Sequence, residues 1–162
     1  MQPSLMPWLF DASSLTARLI ELCGKDFTVQ VISQHWQKID SEEAAAMSLP
    51  DERSALVRQV FLCCGGKPLV YARTVIPKIT IQGARRRYAN MGNRPLGAML
   101  FSDRTMLRED VQVAELPVSH EANKYIESDA PVWGRRSVFR VSGRPLMVCE
   151  YFLPELLERA GR

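Results

Sequence analysis

An α+β architecture, with a single largely antiparallel sheet and helices packed on one face, is what this chain of 162 residues predicts. Three observations lead there. Two stretches are written on nearly one template, each a β-rich run, a Gly-basic-Pro turn and a second β-rich run ending at Pro, which is the pattern of a β-hairpin. Strands outnumber helices, and every close connection is a hairpin. Finally, both parities of the hairpin strands are apolar, so the second face of the sheet is also covered or encloses a cavity.

Element by element, Asp11-Ala12-Ser13-Ser14 ahead of Leu15, Leu19, Ile20, Leu22 and Cys23, with Gly24 behind, predicts an amphipathic helix with a polar N-cap and a glycine stop. Phe27 to Ser33 alternates every second residue and predicts the first strand. The helix formers around Glu42 to Met47 end at Pro50, so that segment is a short helix or a loop. Leu56 to Pro77 is the first hairpin, turning at Gly66-Lys67-Pro68. Gly83 to Met91 suits a helix, Gly92-Asn93-Arg94-Pro95 breaks it, and Leu96 to Phe101 starts another short apolar segment; together they can act as a lid. Arg108 to Leu116 predicts a strand, and the turn-rich Pro117 to Ala130 an exposed loop. Trp133 opens the second hairpin, Arg136 to Pro154, turning at Gly143-Arg144-Pro145.

Composition narrows the functional classes. With 46% hydrophobic and 24% charged residues the chain has the make-up of an ordinary soluble domain, large enough for one core, so residues 1–162 are expected to form a single domain. A net charge of +3, scattered apart from Arg85-Arg86-Arg87, offers no broad field for nucleic acid and suits a small anionic substrate better. No apolar run reaches the roughly 18 to 20 residues that span a bilayer, and the N-terminal stretch lacks the pattern of a signal peptide, so residence in the cytoplasm is expected. The cysteines at 23, 63, 64 and 149 have no CxxC spacing and read as small buried hydrophobes. Trp8, Trp36 and Trp133 read as core or cavity wall.

Within the hairpins, charge stands where packing would choose hydrocarbon. Arg58 shares strand parity with Leu56, Val60 and Leu62, Glu150 with Leu146, Val148 and Phe152, and Arg73 occupies the same slot after its turn as Glu150 after its own. An unpaired charge away from water costs several kcal/mol or more, so something must compensate it. Arg58 or Arg73 could pair with Glu150 inside the fold. Alternatively, an arginine's planar fork and a carboxyl group could grip a ligand with a carboxylate at one end and a hydroxyl at the other. His35 and His120 lie far apart, and there is no phosphate-binding glycine loop, nucleophile elbow or triad spacing, so no metal or cofactor is expected. Arg135 and Arg136 fall on opposite faces, one toward a pocket and the other toward solvent.

Five blocks resemble the chorismate pyruvate-lyase family in order and content: Leu56 to Cys63, Gly66 to Pro77, Arg94-Pro95-Leu96-Gly97, Trp133 to Ser137, and Ser142 to Pro154. That resemblance runs from about Trp8 to Pro154. It implies a sheet enclosing an internal ligand cavity and a cofactor-independent lyase that converts chorismate to 4-hydroxybenzoate and pyruvate at the start of ubiquinone synthesis, acting as a monomer. By the same resemblance Arg58 binds the ring carboxylate, Glu150 faces the ring hydroxyl, Leu96 helps close the pocket, and Leu15 stands where the family usually has Met and contacts ligand through its main chain. Ala72 departs from the glycine that often precedes the arginine of that strand. Effector-binding domains of certain bacterial transcription regulators share the fold, which makes a non-catalytic aromatic-acid sensor or carrier the alternative. Those chains carry a winged helix-turn-helix ahead of the domain, which the short stretch before Leu15 is not expected to supply.

Overall fold

The computed structural model describes residues 2–50 and 54–162. Among these the chain forms α1 (Met6–Leu9), α2 (Leu15–Cys23), β1 (Phe27–Lys38), α3 (Ser41–Ala46), β2 (Ser54–Cys64), β3 (Lys67–Pro77), a 3-10 segment (Gly83–Ala89), α4 (Leu96–Ser102), β4 (Leu107–Arg108), β5 (Gln112–Leu116), α5 (Asn123–Ile126), β6 (Val132–Val141), β7 (Arg144–Phe152) and α6 (Pro154–Ala160). The strands build one seven-stranded sheet in the order β1-β2-β3-β7-β6-β4, with β5 also paired to β6. Every pairing is antiparallel. The expected α+β architecture is present.

α2 begins as its sequence dictates. Ser14 caps it by accepting from the Ala17 N–H at 3.2 Å, and Gly24 ends it at φ +58°. Its apolar stripe packs Leu15 and Leu19 with Leu9 of α1 and Leu156 of α6 over Val60, Leu62, Leu69 and Phe152 of the sheet. Leu19 is fully buried, which stabilises the fold by roughly 1.5–3 kcal/mol. Farther along the same face, Tyr88 and Leu100 cover Leu56, Ile76, Phe139 and Leu146. The opposite face is covered too, as the double apolar parity requires. There α3 sets Ala44 beside Val57, Val75 and Met147, while Ala122 and Tyr125 lie against Tyr71 and Tyr151.

The two hairpins dock through the strands that follow their turns, β3 on β7, with Ala72 opposite Glu150 and Arg73 opposite Cys149. Arg73 and Glu150, equivalent when counted from their turns, therefore face opposite sides. A register shift explains it: Leu62 pairs with Val70 but Cys63 with Pro68, so one extra residue in the first hairpin inverts the parity of β3. The second hairpin pairs without a shift.

Other expectations need correction. β1 continues past Ser33 to Lys38, across a bulge between Val31 and Ser33. The helix expected from Gly83 is a 3-10 segment ending at Ala89, the strand expected over Arg108 to Leu116 is divided into β4 and β5, and the Pro117 to Ala130 loop contains α5. Cys23 and Cys64 are joined in a disulfide, because α2 crosses the sheet so that its last residue meets the last residue of β2 with Cα atoms 5.6 Å apart. Only Cys63 is a fully buried free thiol; Cys149 is partly buried. Trp8 is buried and Trp133 packs against the same core, but Trp36, on the edge strand β1, is 52% exposed. Among the described residues no helix is long and apolar enough to cross a membrane.

Candidate active site

Between the sheet and the α2 and α4 helices lies a cavity whose floor draws on two cross-strand rows, all but Ser137 of them lining it. The first row runs Arg58 on β2, Thr74 on β3, Val148 on β7 and Ser137 on β6; the second runs Val60, Ala72, Glu150 and Arg135 on the same strands. Leu15 and Thr16 from α2, and Leu96, Gly97, Leu100 and Phe101 from α4, form the roof. All four positions carried over from the family resemblance, Leu15, Arg58, Leu96 and Glu150, line this one cavity. Ala72, the departure from glycine, sits in its floor beside Glu150.

Arg58 is 2% exposed, and its partners are all neutral. Its Nη1 donates to the Gly92 carbonyl at 2.6 Å and to Gln34 Oε1 at 3.4 Å, and its Nη2 donates to the Arg94 carbonyl at 3.0 Å. Those carbonyls come from the break ahead of α4, which turns toward the arginine because Gly92 adopts φ +59°. Of the five guanidinium donors, the Nε–H and one Nη2–H have no acceptor among the described residues. Burial without an anionic neighbour pulls the Arg58 pKa below the ordinary arginine value. The site therefore favours an incoming anion.

Glu150 is bonded to neither Arg58 nor Arg73. Its Oε2 accepts from Arg135 Nε at 2.5 Å, with the two side chains 14% and 2% exposed. The Arg135 Nη1 also donates to the Trp8 and Asp11 carbonyls, each at 2.9 Å, which ties the segment before α2 to the sheet. Glu150 Oε1 has no hydrogen-bond partner among the described residues and belongs to a cavity-lining side chain. The internal pairing that the sequence allowed for Glu150 is thus made by Arg135 rather than by Arg58 or Arg73, and on one oxygen.

Arg73, which the sequence offered as a possible partner of Glu150, lies on the far face and pairs with Glu43 of α3. Arg136 is there as well, bonded to Glu42 at 3.0 Å and to Gln112. Two cavity-side groups were missed. Gln34 reaches Arg58 because the β1 bulge shifts it onto the Arg58 row, where its Nε2 also donates to the Ala89 carbonyl at 2.9 Å. Arg108 lines the cavity from β4, a two-residue strand that leaves no periodic signal in the sequence. Among the described residues three guanidinium groups, Arg58, Arg108 and Arg135, thus face a single lining carboxylate, Glu150. The walls carry a formal excess of two positive charges, and the rest of the lining is apolar or neutral. Among the described residues no cluster of His, Cys, Asp or Glu could hold a metal ion.

The family model described as chorismate lyase matches residues 1–162. A protein of Methylococcus capsulatus named "Probable chorismate pyruvate-lyase" is 44% identical over 153 residues, spanning 93% of this chain and 94% of its own length. The chorismate pyruvate-lyase of Salmonella schwarzengrund is 34% identical over 154 residues, with 95% and 85% covered. Among solved structures, the PhnF C-terminal domain superposes with a TM-score of 0.64 at 9% identity, covering 89% of this chain and 90% of that one. A GntR-family transcriptional regulator from Bacillus cereus gives 0.61 at 12% identity, covering 81% and 94%. At those identities the likeness is one of fold alone. Full-length agreement with the family model, and identities of 34% and 44% to proteins of that name, mean that the chain belongs to the chorismate lyase family.

Proposed function

We propose that the protein is a chorismate pyruvate-lyase, which releases pyruvate from chorismate and leaves 4-hydroxybenzoate as the ring for ubiquinone synthesis in the cytoplasm. The observation that carries the reading is the cavity's charge. Chorismate is a dianion, and the lining holds two guanidinium groups more than it holds carboxylates.

The chemistry asks little of the protein beyond placement. The C3–O ether bond breaks, the hydrogen at C4 is lost, and the ring becomes aromatic; the enolpyruvyl fragment gains that hydrogen and leaves as pyruvate. Aromatisation supplies the driving force, so positioning, charge stabilisation and exclusion of water suffice without a metal, nucleophile or redox group. Arg58 anchors the ring carboxylate with the two donors its carbonyl partners leave unfilled. Glu150, two strands across the floor, accepts from the C4 hydroxyl through Oε1 while Arg135 holds Oε2. Arg58 and Glu150 are the catalytic pair in this reading. Leu15 and Leu96, at the N-terminal ends of α2 and α4, close the roof against water. The protein acts as a monomer in this reading.

The test is to add chorismate to the purified protein without metal or nucleotide, following 4-hydroxybenzoate by ultraviolet absorbance and pyruvate by a coupled assay. Equal amounts of the two are expected. Absence of both, from folded protein, would overturn the proposal.

A further inference from the structure

A dianion needs two anchors, and the reading above supplies only one, Arg58. Arg73 is not the other, because it faces away from the cavity and is neutralised by Glu43. Arg135 is engaged by Glu150 and two carbonyls. Arg108 remains, and its hydrogen-bond partners are all neutral, with the Glu150 and Asp11 carboxylates acting on it only at a distance. Its Nε and Nη2 both donate to one hydroxyl, Ser137 Oγ, at 3.3 and 2.9 Å, and its Nη1 donates to the Asp11 carbonyl at 3.3 Å. No carboxylate among the described residues pairs with it, and one N–H on each Nη is left without an acceptor. Its guanidinium lies 5.2 Å from the centroid of the Phe139 ring, which fixes the fork against the cavity wall. Burial, and next the neighbouring Arg135 charge, pull its pKa down, so Arg108 stays in this place at a cost that an anion would relieve.

Its location also fits the shape of the substrate. Ser137, which holds the Arg108 fork, ends the same cross-strand row that Arg58 begins. Glu150 lies in the neighbouring row, between the strands carrying those two residues. A ring with its carboxylate at Arg58 and its C4 hydroxyl at Glu150 has C3 next to C4, so the ether substituent can continue toward β6 and β4. We propose that Arg108 binds the carboxylate of the enolpyruvyl side chain, holding the leaving group while Arg58 holds the ring. Arg108 is then the residue that distinguishes the dicarboxylate substrate from the monocarboxylate product, and loss of that anchor when pyruvate departs leaves 4-hydroxybenzoate held by Arg58 and Glu150 alone. The inference rests on the lyase reading.

The experiment compares wild type, Arg108→Met, Arg108→Lys and Arg58→Ala in two measurements: steady-state turnover of chorismate, and the inhibition or dissociation constant of 4-hydroxybenzoate. Arg108→Met is expected to lower kcat/KM for chorismate roughly a hundredfold while 4-hydroxybenzoate binds within about twofold of wild type. Arg108→Lys should recover part of the loss, because it restores charge without the fork. Arg58→Ala should weaken both measurements. Retained product binding also shows that the variant is folded; if Arg108→Met does not fold, the same split is read on Arg108→Lys. Loss of both quantities together in the Arg108 variants, or loss of neither, overturns the assignment. A wild-type protein that binds 4-hydroxybenzoate but never releases pyruvate from chorismate overturns the lyase reading instead, so the two failures are distinguishable.

Discussion

The two faces of the central sheet treat arginine differently, although Arg135 on the cavity face does meet a carboxylate, Glu150. On the face covered by α3, Arg73 pairs with Glu43, Arg136 with Glu42 and Arg140 with Glu109, each guanidinium meeting a carboxylate. On the cavity face, Arg58 and Arg108 meet only carbonyl, amide or hydroxyl oxygens. Arg58 and Arg73 sit on adjacent strands, both largely withdrawn from water, and their pKa values move apart. Burial lowers Arg58, whereas at Arg73 the same burial is outweighed by the hydrogen bond and charge of Glu43, leaving that group above its ordinary value. Burial alone therefore does not mark a functional arginine. The absence of a counter-ion does, because a fold that only needed stability would supply one or use hydrocarbon.

If that contrast is functional, the largest effect belongs to Arg58. Arg58→Ala should lower kcat/KM for chorismate by about 2–5 kcal/mol in transition-state terms, roughly 30-fold to several thousand-fold, and should weaken 4-hydroxybenzoate binding as well. Steady-state kinetics on protein shown to be folded by circular dichroism reads this directly, and near-normal turnover would sink the anchor role. Next comes Glu150→Gln, which keeps shape but leaves Arg135 without its carboxylate and the C4 hydroxyl without a charged acceptor. Turnover should fall by roughly 10²-fold with product binding less affected, since misplacing the reacting group costs about that much. A pH profile of kcat that is unchanged from wild type would exclude Glu150 as the proton-transferring group.

On the far face the expected currency is stability. Arg73→Met strips Glu43 of its partner and should destabilise the fold by about 2 kcal/mol, less than the ~3–5 of a fully buried pair because the two side chains keep 19% and 12% of their exposure. Thermal or urea unfolding measures it, and the double variant Glu43→Gln with Arg73→Met should recover part of the loss. An Arg73→Met protein that keeps its stability but loses turnover would erase the distinction between the faces.

Much of this was legible in the sequence, for reasons that particular residues make plain. Both hairpins, the Ser14 cap and the apolar parity shared by Arg58 and Glu150 with their neighbours follow from local chemistry and alternation, which the sheet preserves wherever pairing is regular, while the place of those two residues in one cavity was implied by the family resemblance. What escaped were the places where pairing is irregular or partners are distant. The extra residue near Leu69 turned Arg73 away from the cavity, and the bulge after Val31 brought Gln34 to it; alternation cannot show either, because each shifts parity by one. Arg108 stands on a strand too short for periodicity, and the Cys23–Cys64 link joins residues 41 apart that no spacing motif connects. Glu150's partner was misjudged for a related reason: Arg135 faces it directly across β6 and β7, a pairing set by tertiary register.

The smallest effect is expected in the roof, and it tests whether the cavity face works by enclosure as well as by charge. α4 approaches α2 through Gly97, where an added Cβ would overlap Thr16 Oγ1 and lie 3.2 Å from Thr16 Cβ. With Thr16 in place, the missing side chain at Gly97 lets α4 come this close to α2. Gly97→Ala should hold the roof ajar, admit water and weaken 4-hydroxybenzoate binding by roughly tenfold, about 1.4 kcal/mol, while the paired arginines of the far face are untouched. Thr16→Ala removes the obstructing hydroxyl, so the double variant should regain most of the affinity, and competitive inhibition by 4-hydroxybenzoate across the four proteins measures the coupling. Additive losses in the double variant would mean that the contact between α2 and α4 does not govern closure, and that charge on the floor retains the ring without help from the lid.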